Sequence, residues 1–302
     1  MPDASTAAAP LPVEDFAPRR RSRLAQFTRV LFQDPVTATA TVVLLLLLML
    51  AVTAPLIAPD DPSEIDAFGA LKGPSADHWL GSDENGRDVL SRLIYGTRIS
   101  LAVGLISVGI ALLVGIPIGL ASGYFGGLVD SVCMRLMDAL LAFPAIILAL
   151  AIVAVLGSGI FQLMVAIGVT SIPVYARVVR AQVLSLKSRD FVIAARSSGA
   201  ATERILFRHI FPNTLGPIIV QASLGMAFAI LAEAGLSFLG LGVQPPTPTW
   251  GGMLQKALPR IHNAAFLSVF PGIAIFITVL AFNILGDALR DILDPRLRGK
   301  VG

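Results

Sequence analysis

Apolar residues gather into long runs along this chain, and the polar residues between them are confined to short stretches. A hydrocarbon layer of ~30 Å calls for about 20 residues of apolar helix. Six runs approach or exceed that length: Val36–Ile57, Ile99–Gly123, Ala139–Leu156, Phe161–Val179, Thr214–Leu231 and Phe266–Leu285. The first is almost pure leucine from Val42 to Leu50, and the others carry Gly115, Pro117, Pro144, Pro173, Pro217 and Pro271 inside them. Lipid-embedded helices tolerate such residues better than soluble ones do, so the pattern predicts an all-α, polytopic membrane protein with kinked, closely packed helices. Its organisation is a segment 1–35 whose first 18 residues predict disorder, a first helix 36–57, an external segment 58–98, a five-helix core 99–288 and a tail 289–302. The core contains a polar segment 187–213 on one side and a loop 235–265 on the other.

Composition agrees with the pattern: 55% of the 302 residues are hydrophobic and 14% charged, outside the ordinary soluble range. Arg19, Arg20, Arg21 and Arg23 before an apolar stretch ending in Val52-Thr53-Ala54 imitate a secretion signal. That stretch is longer than the 7–15 residues or so of a signal core, and Pro55 follows the candidate cut. It reads as an uncleaved anchor. Of the 23 basic residues, 17 fall on the side that holds both termini and six on the other, which carries Asp60, Asp61, Glu64, Asp66, Asp77, Asp83, Glu84 and Asp88. Excess Lys and Arg mark the cytoplasmic side, so both ends are predicted inside a bacterial plasma membrane. The basicity follows from orientation in the bilayer and needs no nucleic acid.

Several chemistries lack their residues. A phosphate-cradling loop needs G-x-x-x-x-G-K-[ST], and of four lysines only Lys187 precedes Ser or Thr, with Leu186 before it. Gly123-Tyr124-Phe125-Gly126-Gly127 follows a span and reads as a tight turn. One cysteine, Cys133, and three scattered histidines, His78, His209 and His262, give no zinc spacing. Ser198-Gly199 lacks the nucleophile-turn context of a serine hydrolase. No catalytic, cofactor-binding or metal-ligating residue is predicted.

Lys187 to Asn213 reads as two short helices parted by Gly199, which allows the positive φ of a helix C-cap, with Pro212 stopping the second. A basic hairpin resting on lipid headgroups is one reading. A DNA-binding helix-turn-helix is disfavoured because both ends of the unit are tethered to the membrane.

Here the chain resembles membrane subunits of ABC importers: Ala194-Ala195, Gly199 and Ile210-Phe211-Pro212 match the A-A-x-x-x-G loop of that family, with Ile193 and His209 departing from it. The resemblance implies that this loop docks into a separate ATPase, through Asp190, Ala194, Ala195, Arg196, Gly199, Glu203, Arg208 and Pro212. His78 to Arg92, Ser237 to Gly242, Pro245 to Gly251 and Asn283 to Arg296 are similar to the second permease of dipeptide and oligopeptide transporters. Likeness runs from about Asp34 to Arg298. It implies a type I importer permease fold, a homologous second permease, two ATPase subunits that hold ATP-Mg, an extracytoplasmic substrate-binding protein, and peptide cargo. Nickel chelates, glutathione or sugars are alternatives within the family. A self-sufficient secondary transporter would need midplane carboxylates and inverted repeats, neither of which is found.

Individual residues carry further expectations. Glu233, the acid nearest the hydrocarbon, either faces the pathway as an external gate or sits at the interface satisfied by water or a helix N-terminus. Arg135 and Asp138 share one helix face and are expected to pair locally, with contact to the ATPase as the alternative. Trp79 and Trp250 are expected to anchor at headgroup level, with contact to a delivery protein, or for Trp250 a gating role, as the alternative. The run Asp83–Arg92 reads as a solvated face, or, through Asp83, Arg87 and Asp88 together with Trp79, as an external docking surface.

Overall fold

The computed structural model describes residues 34–293 together with Phe32. The arginine-rich stretch before the first span, the segment 1–18, and the matches at Asp294-Pro295-Arg296 lie outside the described residues. Helices follow as α1 (Pro35–Ile57), α2 (Val89–Phe125), α3 (Gly127–Leu141), α4 (Ala145–Leu156), α5 (Ile160–Leu186) and α6 (Asp190–Ser197). A short turn Thr202–Arg204 and a π-helical turn Ile205–Ile210 then lead into α7 (Phe211–Phe238), followed by α8 (Trp250–Ala257) and α9 (Phe266–Leu293).

Asp34 starts α1 by accepting the Thr37 amide at 2.9 Å, and Pro35 occupies the first helical position, where its missing N–H costs nothing. Leu45, Leu46, Leu48 and Met49 are more than half exposed, as suits a helix whose outer face meets lipid. In α2, Gly115, Gly119 and Gly123 recur every fourth residue and lie on α5. A Cβ at Gly119 would stand 2.5 Å from the Ala176 carbonyl oxygen; with only hydrogen there the two backbones touch, the small-residue packing that joins helices in lipid. Ser107 donates to the Met164 carbonyl at 3.0 Å, so residue 107 faces 164 and residue 119 faces 176. Helices α2 and α5 therefore run parallel, and the chain must recross the bundle between them.

The recrossing is made by α3 and α4, two helices bent 90° to one another. This corrects the single span expected at Ala139–Leu156. Their 15 and 12 residues correspond to about 22 and 18 Å of helix, so neither crosses alone. Pro144 forces the break: it has no N–H, and residues preceding a proline are driven out of the helical region. The remaining spans lie where the hydropathy put them, but α2 begins ten residues before Ile99 and α5, α7 and α9 run past their predicted ends.

At one end of the bundle, here termed the basic end, residues 187–213 fold against α2 and α5. At the other, the acidic end, residues 58–88 and 239–265 form a cap.

Candidate functional site

At the basic end α6 is an eight-residue helix with Asp190 in its first turn and Arg196 in its last, each on the side its charge favours. It closes in a Schellman turn: the Gly199 amide donates to the Arg196 carbonyl at 3.0 Å and Ala200 to Ala195 at 3.1 Å, with Gly199 at φ 77. Only a residue without a Cβ takes that conformation readily. Val192, Ile205 and Ile210 are fully buried against Leu120, Val179 and Val183. These three apolar anchors turn the rest of the segment outward. Asp190, Phe191, Ile193, Ala194, Arg196, Gly199, Glu203, Phe207, Arg208 and Pro212 are exposed. Arg196 stacks over Tyr124, 5.7 Å from the ring centroid, and Lys187 Nζ donates to the Gly123 carbonyl at 3.0 Å.

Two expectations here are corrected. Pro212 does not stop the second helix: the π-helical turn bonds the Phe211 amide to the Leu206 carbonyl, five residues back, and this wider register lets Pro212 enter the first turn of α7, where no N–H is required. Ala195, read as small for a partner's sake, packs partly against the buried cluster. Ala194 is the exposed member of the pair.

The acidic end has the opposite character. Asp83 accepts the amides of Asn85 at 2.8 Å and Arg87 at 3.0 Å, and lies 3.4 Å from Arg92 Nε. Asp88 caps α2 through the Ser91 amide at 2.7 Å, and its other oxygen lies 3.1 Å from His78 Nδ1. Arg92 donates to the Pro62 carbonyl at 2.8 Å, and Lys256 pairs with Glu84 at 3.3 Å. Asp83, Arg87, Asp88 and Arg92 are all buried. The run is therefore a folded polar knot, and the expected solvated face or docking surface is not formed by these residues. Arg87 Nε and Nη1 have no hydrogen-bond partner among the described residues. Asp60 joins His78 and Asp88 to bring three potential ligand atoms within 4.8 Å, a grouping the scattered histidines did not suggest.

Beside the knot, Glu233 is fully buried, accepting from Ser100 Oγ at 3.2 Å and from Ser237 Oγ at 2.8 Å. Thr249 caps α8 by accepting the Gly252 amide at 3.0 Å. Trp250 is wholly buried, its Nε1 donating to the Leu93 carbonyl at 3.1 Å. Its ring is held within the protein and is not a headgroup anchor; Trp79, 69% exposed, is free to be one.

The described residues form a bundle with helices long and apolar enough to cross a membrane, an outward-facing two-helix segment at one end and a polar cap at the other, and similarity to known proteins decides what it is. Residues 115–299 match the model of the binding-protein-dependent transport system inner membrane component, and residues 22–74 match the N-terminal TM domain of oligopeptide transport permease C. The chain belongs to this permease family. It is 46% identical over 249 residues to the dipeptide transport system permease protein DppC of Alkalihalophilus pseudofirmus, covering 82% of each chain. Against the glutathione transport system permease protein GsiD of Pectobacterium atrosepticum it is 45% identical over 279 residues, covering 92% of this chain and 93% of the relative. The fold is similar to a chain of the inward-facing MetNI methionine ABC transporter, with a TM-score of 0.56 at 18% identity over 67% of this chain and 96% of that one.

The permease is thus a multi-pass ABC importer subunit and not an enzyme. Of the predicted residues, the structure leaves Asp190, Ala194, Arg196, Gly199, Glu203, Arg208 and Pro212 exposed at the basic end, and it buries Glu233 and Trp250. Missed in the sequence were Ser100 and Ser237, whose hydroxyls satisfy Glu233, because ordinary serines at helix positions carry no distinguishing pattern. Also missed were the partners of the α3 carboxylates: Asp138 pairs with Arg177 across to α5, not with Arg135 on its own helix, and Asp130 pairs with Arg180. Two arginines three residues apart near the end of an apolar helix were the available signal.

Proposed function

We propose that this permease forms half of the translocation pathway of an ATP-driven importer, with the basic end in the cytoplasm, the acidic cap outside, and both termini inside the bacterial inner membrane. A homologous second permease supplies the other half, two ATPase subunits binding ATP-Mg dock on residues 190–212, and an extracytoplasmic binding protein delivers cargo to the cap. The observation that carries the reading is the outward surface of α6, anchored from behind by Val192, Ile205 and Ile210 and braced by the Gly199 turn. A segment with a rigid inner face and an exposed outer one can be pushed as a unit. Closure of the ATPases moves it, and the helices rock between inward-open and outward-open states. In this chain no bond is made or broken.

Di- or oligopeptides are the proposed cargo, supported by likeness to the dipeptide permease. Glutathione, itself a peptide, is the second reading, favoured by the relative matched over 92% of this chain. Calorimetry of the cognate binding protein with a dipeptide series and with glutathione separates them.

Docking is tested by Ala194→Trp. The exposed position tolerates a larger side chain in the isolated permease, so expression holds, while transport is abolished and the ATPases no longer co-purify. A segment that rests on lipid would gain interfacial affinity from tryptophan, and wild-type transport with normal co-purification of the ATPases would reject docking.

A further inference from the structure

Helix α3 is held to α5 by two ion pairs of unequal build. Arg180 grips Asp130 in a fork, Nε and Nη2 each 2.6 Å from a carboxylate oxygen, and Ser122 at the end of α2 donates to the same carboxylate. Arg177 donates to Asp138, and this second pair is about half exposed, where a lone pair is weak. Their spacing gives the weak pair its use. The carboxylates are eight residues apart on α3, about 12 Å, and the guanidiniums three apart on α5, about 4.5 Å. Two helices gripped at such different spacings cross at an angle. A single pair at a crossing is a pivot, whereas two fix the direction of the crossing helix.

The same stretch of α5 leads into the docking helix. Only Lys187, Ser188 and Arg189 separate α5 from α6, Lys187 holds the Gly123 carbonyl, and Arg196 of α6 lies over Tyr124, three residues before α3 begins. Beyond α3 comes the 90° break at residues 142–144, past which α4, whose side chains are all apolar, packs into the core through Ala149 and Val153. Displacement of α6 therefore reaches α3 through a braced junction.

We propose that Asp130–Arg180 and Asp138–Arg177 are a strut of positioning residues that makes α3 travel with α5 and the docking helix in each transport cycle. This rests on the docking role of α6. Neither pair opens during the cycle.

The test uses the full importer, with its partner permease, ATPases and binding protein, reconstituted in liposomes with Cys133→Ser as background. Asp130→Asn should leave ATPase co-purification and ATP hydrolysis in place while ATP consumed per labelled dipeptide imported rises about tenfold, and Asp130→Arg with Arg180→Asp should recover most of the coupling. Asp138→Asn should raise the ratio only about threefold, as befits an exposed pair. A merely structural role would lower hydrolysis, transport and expression together and leave the ratio unchanged. Separately, Asp138→Cys with Arg177→Cys joined by a short bifunctional thiol reagent should keep transporting. Transport that stops on crosslinking and returns on cleavage would show a latch that must open and overturn the proposal, as would a wild-type coupling ratio in Asp130→Asn. Failure of docking itself is read elsewhere, as ATPase retention by Ala194→Trp.

Discussion

Two segments with the same number of charges meet opposite fates in this permease. Asp83 to Arg92 at the acidic end carries Asp83, Glu84, Arg87, Asp88 and Arg92, of which all but Glu84 are buried; Asp190 to Arg208 at the basic end carries Asp190, Arg196, Glu203, Arg204 and Arg208, all exposed. The difference lies in what surrounds the charges. In the cap, Gly81 and Gly86, both at positive φ, turn the chain back so that carboxylates meet backbone amides at a helix start, and α8 and α9 close over them. In the basic segment Val192, Ile205 and Ile210 take all the inward positions, leaving the charges none. A charge run is thus read from its companions: hydrophobes that fill the inward positions turn charges out, whereas turn glycines beside a helix start let charges fold in.

The largest effect expected from breaking this contrast is Asp83→Ala. Removing the carboxylate leaves the Arg92 guanidinium, 3% exposed, without its ionic partner, which costs about 3–5 kcal/mol; the thermal midpoint of the purified permease in detergent should fall sharply, and an unchanged midpoint would mean that the knot is not structural. Next is Gly119→Leu, where the α2–α5 contact has no room for a side chain. Overpacking costs about 1–3 kcal/mol, read as a lower midpoint and poorer expression. Asp88→Ala removes the cap of α2 and should cost about 1 kcal/mol by the same assay. Gly199→Val, whose φ of 77 is strained by about 1–2 kcal/mol in a branched residue, should loosen α6 and reduce transport while the spans stay inserted; Gly199→Asn should retain more activity. Smallest is Arg208→Ala at the exposed end, within about 0.5 kcal/mol of wild type, and a drop comparable to Asp83→Ala would erase the distinction between the two ends.

The hydrophobic runs alone determined the helical class and located the five helices long and apolar enough to cross a membrane, because lipid forces every backbone group into an internal hydrogen bond and leaves helices as the solution for such runs. Gly199 likewise marked the turn, since a positive φ is a local requirement. Local pattern is silent on partners distant in the chain. It left Asp138 next to Arg135 when its partner is Arg177, 39 residues away, and placed Trp250 at the lipid surface when its indole bonds Leu93, 157 residues away. Burial of Asp83, Arg87 and Asp88, the hydroxyl cage of Glu233 and the right-angle break between α3 and α4 were decided by the tertiary structure. Whether a polar group is satisfied by water or by protein depends on which segments pack over it, and that is fixed only when the bundle closes.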